Sequence, residues 1–132
     1  MRRNALSTGL CALALLAFAP AVAAEPEIAV ELRCPTSAAP GRVRCDLDAM
    51  PPAGMTLTWA DVVVLPGSIP PLRGRLAPSD GDVRPERATF AFAVLAKDRG
   101  PAEVKVAVRA VVCREGSCRT SVVEKKAAVL VQ

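Results

Sequence analysis

Residues 103–118 read EVKVAVRAVVCREGSC, and this stretch decides the fold. Val104, Val106, Val108, Ala110 and Val112 alternate with Glu103, Lys105, Arg109 and smaller residues. A period of two over this length is the signature of a β-strand with one face on a core. Arg114-Glu115-Gly116-Ser117 then reads as a four-residue hairpin loop. A last strand runs from Cys118 towards Gln132, and Glu124-Lys125-Lys126 is expected to mark a bulge or an exposed bend in it.

The same period extends towards the N-terminus. Ile28, Val30, Leu32 and Cys34 share one face of a first strand, and Val43, Cys45 and Leu47 share one face of a second. Turn chemistry separates them, from Pro35 to Gly41. A third strand is expected from about Thr56 to Leu65, with Trp59 in the core. A short fourth is expected near Leu72 to Ala77, and a fifth from Arg87 to Ala96 with Phe90, Phe92 and Val94 on one face. Turn signals separate the strands throughout, and no stretch keeps a helical period beyond two turns. The expected fold is all-β, an immunoglobulin-like antiparallel β-sandwich of about seven strands.

Ahead of this domain lies a leader. Met1-Arg2-Arg3-Asn4 is basic, Ala5 to Ala17 is almost wholly apolar, Pro20 breaks the run, and Ala21-Val22-Ala23-Ala24 supplies small residues for a signal peptidase. The expected organisation is a signal peptide over 1–24 and a single β-sandwich domain over 25–132, exported to the periplasm or the extracellular space. Cys11 falls within the leader and lacks a lipobox context. No later apolar run approaches the roughly 20 residues of a membrane-spanning helix, so no integral membrane segment is expected in the mature chain.

Composition narrows the chemistry. The chain contains no His, which removes the commonest general base and the Ser-His and Cys-His nucleophile pairs. The formal charge is +4, and Arg2 and Arg3 leave with the leader. Neither this balance nor the scarcity of aromatics suits nucleic acid. The cysteine gaps fit no common zinc pattern. Asp80-Gly81-Asp82 reads as a turn, since the ligand ladder of a calcium loop is missing. No cofactor or metal is expected. Asp61 shares the face of Trp59 and is expected at a strand end with solvent access. Arg33, Arg42, Arg44, Arg73 and Arg75 are expected on solvated outer faces, as an anion-attracting patch if their strands adjoin.

Cys34, Cys45, Cys113 and Cys118 follow the leader, an even number in an exported chain, which favours disulfides. Cys34 and Cys45 share the core parity of two strands flanking one turn. Their bond is expected to be structural and to stabilise the fold by about 3 kcal/mol. Cys113 and Cys118 bracket the tight hairpin, whose shorter loop gives about 2 kcal/mol on the same basis. Cys113 falls on the polar parity, with Lys105 and Arg109. This bond is therefore expected at an exposed tip within reach of another thiol, with Arg114 and Arg119 beside the sulfurs to stabilise a thiolate.

Val106 to Val131, with Cys-Arg-Glu-Gly-Ser-Cys between two strands, resembles the cysteine-bearing end of the immunoglobulin-like N-terminal domain of DsbD-type thiol–disulfide interchange proteins. It is similar also to the β domain that ends some thioredoxin-like proteins with NHL repeats. The resemblance implies an exported sandwich that passes electrons through a cysteine pair, here Cys113 and Cys118, with a protein partner, thioredoxin-like on this reading, to supply them. Two functions are thus expected from the sequence. The first is a non-enzymatic domain binding or supporting a protein partner at the cell envelope. The alternative is a periplasmic thiol–disulfide exchange domain with Cys113 and Cys118 as its catalytic pair.

Overall fold

The computed structural model describes residues 14–19 and 26–132. Of the expected leader, residues 14–19 are exposed chain without regular structure. Cys11 and the boundary at Ala24 lie outside the described residues. Among the described residues no helix is long and apolar enough to cross a membrane.

Among the described residues nine strands form in chain order: β1 (Ala29–Arg33), β2 (Ser37–Ala38), β3 (Gly41–Met50), β4 (Thr56–Val64), β5 (Arg75–Leu76), β6 (Asp82–Arg84), β7 (Arg87–Ala96), β8 (Gly100–Arg114) and β9 (Ser117–Val131). One sheet has the order β1-β3-β7-β6 and the other β2-β9-β8-β4-β5. The chain is an all-β sandwich. Its strand order is that of immunoglobulin-like domains, with β5 in the place of the additional strand beside the third.

The expected alternation is realised on the inward faces. Val104, Val106, Val108, Ala110 and Val112 of β8 are all buried, opposite Val43, Cys45, Leu47 and Ala49 of β3 and Phe90, Phe92 and Val94 of β7. Most of these side chains are small, so the core is thin and rests on many Val and Ala contacts rather than a few aromatic anchors.

The two strands beyond the expected seven come from segments with turn composition. β2 carries the chain from the edge of one sheet to the edge of the other, where Ser37–Ala38 pairs in parallel with Leu130–Val131. β6 adds Asp82–Arg84 to the edge of β7. Both are edge pieces too short for periodicity to reveal. The expected irregularity at Glu124-Lys125-Lys126 does not occur, because β9 pairs with β8 in unbroken register from Ser117 to Val131. The four-residue hairpin loop also tightens. Arg114 pairs with Ser117, leaving Glu115 (φ 50°) and Gly116 (φ 79°) as a two-residue turn of the I′ type.

β4 contains a β-bulge that the sequence reading missed. Leu57 pairs with Val112 but Trp59 with Val111, so Thr58 is the extra residue. Leu57 and Ala60 therefore both face inward. Trp59, expected in the core, is turned to the outer face and is half-buried there.

Gly81 precedes β6 at a point of close approach. A Cβ at this position would lie 2.5 Å from both Phe90 Cδ1 and the Thr89 carbonyl oxygen. Backbone and a core ring cannot both yield, so Gly81→Ala should lower unfolding stability by about 1–3 kcal/mol. Urea denaturation checks this; an unchanged midpoint would show that β6 shifts freely.

Candidate functional site

Cys113 and Cys118 face each other directly across the β8–β9 hairpin and are disulfide-bonded, with Cα atoms 4.0 Å apart. Cys113 lies on the outward parity, as expected; it is half-buried, while Cys118 is exposed. The bulge brings the Thr58 hydroxyl to 3.7 Å from Cys113 Sγ, and the same hydroxyl donates to the Val111 carbonyl at 3.2 Å. Thr58 is thus the polar neighbour of this sulfur, and the one signal for it in the sequence is a parity conflict. Leu57 and the apolar pair Val62 and Val64 alternate on opposite parities, and only one extra residue between them puts all three inward.

The two arginines beside the cysteines in sequence are held by backbone acceptors, at the rim of the groove that Cys118 borders. Arg114 and Arg119 take the inward parity, opposite to that of Cys113 and Cys118. Arg114 donates to the Ala53 carbonyl at 2.8 Å, and Arg119 donates to the Pro26 carbonyl and approaches Met55 Sδ at 3.9 Å. They tie the hairpin to the chain at the open end of the sandwich.

On the outward face of the five-stranded sheet, successive rows carry Cys118–Cys113–Thr56, Thr120–Val111–Trp59 and Val122–Arg109–Asp61. Asp61, expected at a solvated strand end, lies mid-strand and is fully buried (0% exposed) beneath two arginines. Arg75 donates to it at 2.7 Å, Arg109 donates to both of its oxygens, and the Arg109 guanidinium lies 6.0 Å from the Trp59 ring. Burial alone would push the Asp61 carboxyl up; the two guanidiniums outweigh it and hold the carboxyl below the ordinary range.

The other sheet repeats the device. Asp48, buried on the outward face of β3, accepts from Arg33 and Arg87, and again burial is outweighed by the two guanidiniums, so its carboxyl is lowered. This pairing answers the expected arginine patch. Arg33 meets Asp48 and Glu31, Arg44 meets Asp46, Arg73 meets Asp80 and Arg75 meets Asp61. The arginines are spread over both sheets, each of these four against a carboxylate, so no joint anion-attracting patch forms. Asp80 also accepts from the Ala77 amide, and Asp82 pairs with Arg84. Among the described residues no group of three or more Cys, Asp or Glu side chains is placed to hold a metal ion.

Cys34 and Cys45 are bonded to each other at the end of β1, with Cys45 fully buried in the core and Cys34 half-buried. The two disulfides thus differ in access. No protein-family model, curated protein or solved structure matches this chain.

Proposed function

We propose that this chain is an exported, non-enzymatic β-sandwich that binds a protein partner at the cell envelope through the outward face of its five-stranded sheet. One observation carries the reading. The bulge at Thr58 turns Trp59 out of a core poor in aromatics and sets it opposite Val111, on the outward face that also carries Thr120 in the same row and the exposed Val122 in the next. Bulges commonly re-aim a side chain at a functional surface, and tryptophan is the residue most enriched among interface hot spots. The opposite sheet carries the like cluster of Asp48, Arg33 and Arg87 but no aromatic side chain on its outward face.

A photo-crosslinking residue at Val122 tests this in the exporting cell, with the same residue at Arg42 on the other sheet as control. Crosslinks to one defined protein are expected from Val122 alone, and they should disappear in a Trp59→Ala background that keeps its thermal midpoint. Equal crosslinking from both faces, or none from Val122, would refute the reading.

The second reading, thiol–disulfide exchange with a thioredoxin-like dithiol partner, is favoured by the exposed Cys118 and by the Thr58 hydroxyl at Cys113 Sγ. A shallow groove of about 510 Å³, bordered by Pro26, Met55, Arg114, Glu115, Cys118 and Arg119, leaves room for an incoming thiol. In this reaction a thiolate attacks Cys118 Sγ and the Cys113–Cys118 bond breaks. Cys113 leaves with the electron pair as a thiolate, and the partner's second thiol then displaces Cys118, so the partner dithiol is oxidised as this disulfide is reduced. A thioredoxin-like dithiol whose second cysteine is replaced by Ala should stop at the mixed disulfide with Cys118, because the thiol that would displace Cys118 is gone. No trapped species, together with a potential below about −300 mV, would identify a structural clip.

A further inference from the structure

We propose that two copies of this chain pair antiparallel through their β9 edges, about a two-fold axis at Lys125, to form one continuous sheet. β9 is bonded along its whole length to β8 on one side. On the other side its backbone partners belong to β2, where the Leu130 and Gln132 amides donate to the Thr36 and Ala38 carbonyls. Backbone groups alternate in direction along a strand. The amides and carbonyls of Val122, Glu124, Lys126 and Ala128 therefore point to that same edge, where among the described residues no strand is paired with them. An open edge of this length is a template for another strand.

The side chains select the occupant and the register. About an axis at Lys125, Glu124 of one copy faces Lys126 of the other, twice, and Val122 faces Ala128, twice. Shifting the axis by one residue either way sets Glu124 or Lys126 against itself. Within one copy, Lys126 lies directly opposite Lys105, an unfavourable like-charge neighbour, and the second copy's Glu124 supplies the opposite charge on its free side. Val122, 54% exposed in the single chain, is partly covered at the seam. About eight backbone hydrogen bonds form across it. Lys125 meets its own copy at the axis and opposes the pairing. Trp59 stays open on both copies, whereas Val122 belongs to both surfaces. Trp59→Ala separates the two readings: it should abolish partner crosslinks and leave the dimer unchanged, and a Val122 crosslink to a second copy supports the dimer alone.

Sedimentation equilibrium of the exported chain measures the pairing directly. A concentration-dependent monomer–dimer equilibrium is expected. Lys126→Glu should weaken it about tenfold or more, because two attractive cross-strand pairs become repulsive. The double variant Glu124→Lys/Lys126→Glu should restore it, and Lys125→Ala should tighten it. Val122→Pro should abolish the dimer while leaving the monomer's circular dichroism intact, because the amide it removes points away from β8. A single monomeric species up to millimolar concentration would overturn the proposal. So would Lys126→Glu dimerising undiminished, or a double variant that fails to recover.

Discussion

Asp61→Asn is expected to lower unfolding stability by about 2–4 kcal/mol, a large effect for an outward-facing residue. The carboxylate is fully buried and takes charge-assisted hydrogen bonds from Arg75 and Arg109. Asparagine keeps the shape but presents an amide to two guanidiniums, which must then find water. Both arginine side chains are about half exposed, which makes that possible and keeps the loss below the upper figure for a wholly buried pair. Asp46→Asn is the control, because its pair with Arg44 is exposed on both sides and should move stability by no more than about 0.5 kcal/mol.

The same carboxylates fix the acid limb of the stability curve. Asp48 and Asp61 both have folded values held below the ordinary range, so the unfolded chain binds their protons first as pH falls. Their contribution is fully present above the unfolded carboxylate value near ~4 and is lost as pH drops through the lowered folded values. Stability should therefore hold from neutrality to about pH 4 and fall steeply below it, less steeply in Asp61→Asn. Urea midpoints between pH 7 and pH 2.5 measure both effects. A flat acid limb, or an Asp61→Asn loss no larger than that of Asp46→Asn, would show that the arginines contribute nothing net.

The second large effect belongs to the buried disulfide. Replacing Cys34 and Cys45 together by Ala should lower stability by about 2–4 kcal/mol. The bond closes a separation of 11 residues, against 5 for Cys113–Cys118, and the longer loop alone accounts for about 0.7 kcal/mol more. Cys45 also fills core volume, so its truncation leaves a space that the hairpin cysteines, at the surface, do not. The Cys113/Cys118 double variant should accordingly cost less, about 2 kcal/mol or below. Guanidinium unfolding of the two double variants side by side decides it. An equal or larger loss from the hairpin pair would show that loop length and core burial do not set the ranking.

The sequence by itself determined the all-β sandwich and most of the long strands, and it pointed to both disulfide pairings, which the structure selects from the three that four cysteines allow. These follow from local rules: alternation marks a face, and turn residues mark the ends. Cysteines on matching parity across one turn are already neighbours. Three features were decided only in the tertiary structure. The bulge at Thr58 is a compromise between Leu57 and Val62, which both need the core, so Trp59 is displaced outward although its own hydrophobicity favours the interior. Asp48 and Asp61 are buried because arginines from neighbouring strands close over them, and strand neighbours are set by sheet order. Arg114 and Arg119 take the parity opposite to the sulfurs, and find backbone acceptors, for the same kind of reason. A tight two-residue turn fixes the hairpin register, register fixes the face, and their acceptors, Ala53 and Pro26, come from segments distant in the chain.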